Sequence, residues 1–141
     1  MLNTIEKAAE NFCIHQLGTQ CCKKDGVSQK QTFIAYIDIN TQEDQNYRVY
    51  LASEKEFLQK VAQLFLEEDE SDDETLQDMM LETVNLIVGS AKVIAQENEH
   101  TFTIQTPHFE KIDTFSYPYN EASSIALDDA LLSIAIKELD E

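Results

Sequence analysis

One stretch limits the folding options of this chain more than any other: Glu74–Gln96, ETLQDMMLETVNLIVGSAKVIAQ. It is the longest apolar-periodic run in the 141 residues. Apolar side chains recur there at helical spacing, and an α-helix advances about 100° per residue. With Glu82 set at zero on that wheel, Leu76, Met80, Thr83, Val84, Ile87, Ala91 and Ile94 fall on one broad arc roughly opposite. Asp78, Glu82, Asn85 and Gly89 share the other side, within about 60°. A carboxylate and a carboxamide three residues apart therefore stand side by side on the outer face. Gly89, one turn beyond Asn85, removes the side chain from that point of the surface. Met79, Leu86 and Val93 lie beside the polar patch as an apolar rim outside the buried arc. A helix with this pattern buries one face and offers the other as a contact surface.

Spacing alone is a weak signal. Exposed Glu and Asn on a helix are commonly just solvated, and a helical Gly costs about 1 kcal/mol against Ala. A second E-x-x-N, Glu43 and Asn46, falls in a predicted hairpin loop with no helical period and no following glycine.

Composition bounds the rest. A chain of 141 residues is long enough for one domain with a real core and too short for two. The formal net charge of −17 disfavours nucleic acid or an anionic membrane surface as a partner. No run approaches the roughly 18 apolar residues needed to cross a bilayer, and no basic-then-apolar signal opens the chain. A cytoplasmic protein is the resulting expectation. Cys13, Cys21 and Cys22 are odd in number, and neighbouring Cys21 and Cys22 are poorly placed to bridge each other. Together with His15 they do not match the paired spacing of structural zinc. The expected state is reduced thiols near a helix end, with no metal bound by this chain.

In chain order, Asn3 with Glu6 predicts a capping box for a helix over residues 4–17, with Gly18 as its stop. His15 then lies at the surface or its boundary. Cys21–Lys30 reads as a polar link. Alternation over Thr32–Asn40, and again over Tyr47–Leu51, predicts an antiparallel hairpin. Ser53 with Glu56 predicts a second capped helix to about Leu66, with Phe57, Leu58, Val61, Leu64 and Phe65 as its core stripe. The acidic run Glu67–Glu74 lacks the glycine and ligand spacing of a calcium loop. It reads as an exposed connector, with Ser71 and Glu74 capping the long helix. Strands are expected at Thr101–Gln105 and Lys111–Tyr117, separated by Pro107. In Ser123–Leu139 the apolar residues support both periods. A helix over Asp128–Leu139 is one reading; alternation at Ser133–Ile136 favours a hairpin, Ser124–Leu127 then Leu131–Lys137, turning at Asp128-Asp129. The fold class is α+β, a single domain (1–141) with an antiparallel sheet and long helices packed on one face.

The segment Glu82-Thr83-Val84-Asn85-Leu86-Ile87-Val88-Gly89, followed by Ser90-Ala91-Lys92, resembles the E-x-x-N-x-x-x-G signature of the CheC/CheX/FliY family. With a single such motif on a helix, the chain is more similar to CheX than to CheC, which carries two. The resemblance implies a phosphatase acting on phosphorylated CheY-type response regulators in chemotaxis. It implies that Asn85 orients the attacking water and Glu82 pairs with a lysine of the partner, magnesium being held by the response regulator. It also implies a homodimer. Asp78, Met79, Leu86, Gly89 and Val93 are the expected partner-binding residues around that pair. A non-catalytic response-regulator or flagellar-switch docking module of the same fold is the alternative. The chain departs from the family where a hydrophobic-hydrophobic-x-glycine turn usually follows the proline, since Pro107 precedes His108-Phe109-Glu110-Lys111.

Overall fold

The computed structural model describes residues 1–42, 45–67 and 70–139. In chain order these form α1 (Leu2–Asn11), a widened helical turn (Phe12–Gln16), β1 (Cys22–Asp25), β2 (Gln31–Thr41), β3 (Asn46–Glu54), α2 (Lys55–Leu66), α3 (Asp73–Glu97), β4 (Phe102–Ile104), β5 (His108–Thr114), β6 (Glu121–Leu127) and β7 (Ala130–Leu139). All strands join one antiparallel sheet in the order β1-β6-β7-β3-β2-β4, with β5 also paired to β2.

Two-residue periodicity decides which side of that sheet is covered by helices. Phe33, Ala35, Ile37 and Ile39 of β2 and Val49 and Leu51 of β3 are buried in the main core with the apolar sides of α1, α2 and α3. Ile34, Tyr50 and Ala135 point the other way and make a second, smaller cluster with Phe115. There Tyr50 meets Phe115 edge-on at 5.4 Å and stacks on Tyr117 at 4.9 Å. The helices therefore occupy one face, as expected, and an aromatic segment after β5 covers part of the other.

The ambiguous C-terminal segment is a hairpin. β6 and β7 meet through Leu127↔Ala130, and Asp128 takes the left-handed conformation (φ 55°) that such a tight reversal needs. Placing β7 between β6 and β3 buries Leu132, Ile134 and Ile136 on the helix side.

Several local expectations are corrected. β1 lies inside the span read as a link; it is four residues long and exposed throughout, so it carries no burial alternation to detect. α1 starts at Leu2 with Met1 as its cap, and Asn3 makes no capping bond. Glu6 is instead buried, accepting from Ser123 Oγ at 2.9 Å and pairing with Lys23 at 2.9 Å. Ser53 stays in β3 and donates to the Glu54 carbonyl, so α2 has no side-chain cap. Leu64, 53% exposed, points away from the core, and Ala62 fills the stripe.

The strand expected at Lys111–Tyr117 begins earlier, at His108. A bulge opposite Ile34 and Ala35 adds one residue to β5. The extra residue puts Phe109 and Ile112, three apart, against the same core, which strict alternation forbids. The thiols are also corrected: Cys13 is disulfide-bonded to Cys21, and Cys22 is free and exposed. Glu43 of the second E-x-x-N lies outside the described residues, as do Glu68 and Asp69 of the acidic run. Asn46 opens β3 with its Oδ1 accepting from Asn40 Nδ2 at 2.6 Å.

The start of α3 is shifted by one residue. Asp72, not Ser71, is the cap, its carboxylate accepting from the Thr75 N–H at 2.8 Å. Ser71 is buried and exchanges two backbone bonds with the Gln59 side chain. The Thr75 backbone bond holds the Asp72 carboxyl below its ordinary pKa. A depressed folded-state pKa stabilises above the unfolded value and is lost as pH falls through the folded one. Asp72→Ala is thus expected to lower the melting temperature by a few degrees at neutral pH. That difference should shrink below the ordinary carboxylate range and vanish in stronger acid, whereas Asp72→Asn, itself a good cap, should stay near wild type. Thermal melts of the three proteins across pH check this.

Candidate functional site

α3 crosses the helix layer with its apolar arc inward. Leu76, Met80, Thr83, Val84, Ile87 and Ala91 are buried, and Thr83 Oγ1 satisfies itself on the Met79 carbonyl at 2.7 Å. Ile94 is half-buried against the same core. Because α3 packs against α1 and α2 as well as β2, its buried arc is wider than the apolar stripe suggests. Met79 (6% exposed) and Val88 (0%) are drawn in. Met79 is therefore a core residue and not part of an exposed rim.

The rest of the predicted patch stands on the outside. Asp78, Glu82 and Asn85 are exposed, Gly89 and Leu86 half-buried, and Val93 is 53% exposed. Leu86 leans on the core from the edge of the helix. Among the described residues neither Glu82 nor Asn85 has a hydrogen-bonding or ionic partner. Both groups are free to meet a ligand at full strength, held one turn apart on a rigid 25-residue helix. A carboxamide there can accept with its oxygen and donate with its nitrogen, while a neighbouring carboxylate accepts from a cation.

Gly89 is the informative position. A Cβ built on it would meet nothing within 4 Å, and its φ is not among the positive ones. Neither packing nor backbone conformation within this chain calls for glycine, yet a helical glycine costs about 1 kcal/mol against alanine. The bare spot leaves open space on the outer face of α3.

A cavity of about 600 Å³ lies at the C-terminal end of α3, away from this pair, lined by residues such as Asn98, His100 and Tyr47. A protruding acid–amide pair suits insertion into a cavity belonging to another molecule.

Comparison with known proteins gives the family and the fold. The family model described as chemotaxis phosphatase CheX matches residues 34–127, which include α3 and most of the sheet. The chain belongs to the CheX family. No curated protein matches its sequence. Among solved structures it is similar to CheX from Vibrio vulnificus, with a TM-score of 0.80 at 14% identity over 96% of this chain and 95% of that one. CheX from Desulfovibrio desulfuricans gives 0.75 at 16% identity, covering 97% of each chain. The CheX–CheY–BeF3–magnesium complex from Borrelia burgdorferi gives 0.68 at 18% identity, also covering 97% of each. At such identities the structures report fold, and the family model carries the membership. CheX fold and helix layer were both legible from the motif and the alternating strands. No helix among the described residues is long and apolar enough to cross a membrane.

Proposed function

We propose that this protein is a phosphatase that removes the phosphoryl group from the phosphoaspartate of a CheY-type response regulator in chemotaxis signalling. The observation that carries the reading is the outward Glu82–Asn85 pair, unpartnered and set one turn before a glycine that nothing in the chain requires. Membership of a family described as chemotaxis phosphatase supports it. So does the fold shared with a CheX solved in complex with CheY.

Phosphoryl transfer asks mainly for positioning and charge stabilisation. The response regulator brings the acyl phosphate, a magnesium ion and a lysine. What this chain adds is Asn85, whose amide holds a water in line with the breaking bond. The water oxygen attacks phosphorus, the acyl P–O bond breaks, the aspartate leaves as carboxylate, and the water's proton passes to phosphate and solvent. Glu82 pairs with the partner's lysine and fixes how deeply the helix inserts. Leu86 and Val93 add apolar contact, and Asp78 extends the acidic side of the patch. The same reading places the protein in the cytoplasm as a homodimer, which sedimentation at several concentrations would check.

A non-catalytic docking module shares the fold and the exposed face, but docking alone does not need an amide beside the carboxylate. The two are separated by mixing the protein with phosphorylated CheY-type receivers and magnesium and following phosphate release. Release well above the receiver's own decay is expected. Glu82→Ala should weaken docking and release together. Docking without any accelerated release would make the protein an adaptor.

A further inference from the structure

Cys13 and Cys21 are bonded across eight positions, with their Cα atoms 6.2 Å apart. The two ends sit in different surroundings. Cys13 is fully buried inside the widened turn Phe12–Gln16, and Cys21 is half-buried just ahead of β1. The turn is wide because the Leu17 N–H bonds the Phe12 carbonyl, five residues back, at 3.2 Å. Gly18 then reverses the chain (φ 69°), and the Thr19 N–H returns to the Cys13 carbonyl at 3.0 Å. Such i→i+5 turns are rare and occur mostly as single turns, often at functional sites. Here a covalent bond pins one to the next segment of chain.

The pinned turn faces α3. Asn11, Phe12, His15 and Gln16 line a cleft of about 200 Å³ whose other wall is Leu86 and Ser90. Leu86 follows Asn85 in sequence and Ser90 follows Gly89, so the cleft borders the amide and the bare glycine. Phe12 and Leu86 are its apolar lining, and Asn11, His15, Gln16 and Ser90 its polar lining. In the docking mode proposed above, this rim is the next surface beside Glu82 and Asn85.

We propose that the Cys13–Cys21 pair is a thiol–disulfide switch on response-regulator docking, an inference that rests on the docking surface argued above. A dithiol reductant attacks Sγ of Cys21, the more accessible end. The S–S electron pair leaves on Cys13, which takes up a proton. The second thiol of the reductant closes on the mixed disulfide and releases Cys21 as a thiol. Two electrons and two protons thus pass to the protein, and the reductant leaves as its own disulfide. Once released, the turn relaxes toward ordinary i→i+4 pairing, which re-phases His15 and Gln16 by roughly one residue's rotation, about 100°. The rim then no longer matches the partner. In a reducing compartment such a bond persists only under oxidising conditions, the setting in which intracellular disulfides act as sensors.

The test compares oxidised and dithiothreitol-reduced protein with a receiver held in its active form by beryllium fluoride and magnesium. Reduction is expected to raise Kd by about tenfold, the size of one lost anchoring contact. It should raise KM for the phosphorylated receiver in parallel, with kcat changed less than about twofold. Cys21→Ser should behave as reduced protein with or without dithiothreitol, and Cys22→Ser should keep the response. Hydrogen exchange should rise on reduction at residues 12–19 and at Leu86–Ser90. Equal Kd in both redox states, or unchanged exchange at residues 12–19, overturns the switch while leaving the phosphatase reading intact. A lower melting temperature with unchanged KM would also overturn it, reducing the bond to a structural staple. Absence of docking in either state overturns the underlying reading and the switch with it.

Discussion

Asn85→Ala is expected to cut hydrolysis of the receiver's phosphoaspartate by at least about a hundredfold while docking changes less than about twofold. The asymmetry follows from where the amide sits. Asn85 is exposed on a helix whose buried side carries the fold, so its removal leaves Val84, Ile87 and Val88 in place. Alanine is also the better helix former, and the variant should melt no lower than wild type. What is lost is the group that holds one water in line, and losing that placement costs rate, not affinity. Asn85→Gln carries the same amide one methylene further out and should recover only a small part of the rate. Asn85→Asp keeps the shape but loses the donor and adds charge beside a phosphoryl group, so it should stay near the alanine level. The measurements are phosphate release and titration with the beryllofluoride form of the receiver. Unchanged release by Asn85→Ala would remove the amide from the reaction and leave the face of α3 with docking alone.

The parts of this protein that could be read from its sequence are those in which one period dominates. Ile37 and Val49 sit in strands whose alternation survives intact, and the inward arc of α3 is a long 3.6-residue pattern. Alternation at Ser133–Ile136 and a turn at Asp128-Asp129 favoured the last hairpin over a helix, and Asp128 takes the left-handed conformation at that reversal. The misses arise where tertiary packing adds something that periodicity does not encode. Met79 lies on the wheel near Glu82, yet neighbouring helices cover it. Phe109 and Ile112 share a side only because a bulge interrupts β5. Glu6 looked like the second half of a cap, but Ser123 and Lys23, both distant in sequence, claim its carboxylate. The disulfide belongs to the same class. Nothing local in Cys13 or Cys21 announces their pairing; the widened turn and the path into β1 bring them together. Within the candidate site, the exposure of Glu82 and Asn85 was legible because both lie well inside the exposed arc, where added burial at its margins does not reach.

Gly89 offers the sharpest separation of stability from function. Gly89→Ala should stabilise the protein by about 0.5–1 kcal/mol, since it gains helix propensity and its Cβ meets nothing within 4 Å. Gly89→Leu likewise meets nothing at its Cβ, and its longer side chain starts from the outer face of α3, so the variant should fold. Docking should respond in the opposite sense. If the partner's backbone comes down on the bare turn beyond Asn85, a leucine there forces it outward. A clash of about 1–3 kcal/mol weakens binding by between roughly fivefold and 150-fold. Alanine should show a smaller loss in the same direction. Melting temperature and receiver titration, measured on the same preparations, give both halves of the comparison. A purely internal role for the glycine predicts that stability and docking fall together. Glycine kept for an approaching partner predicts that one rises as the other falls. A Gly89→Leu protein that docks as tightly as wild type would mean that the partner's backbone does not pass over this turn. The contact would then have to be carried by Glu82, Leu86 and Val93 alone.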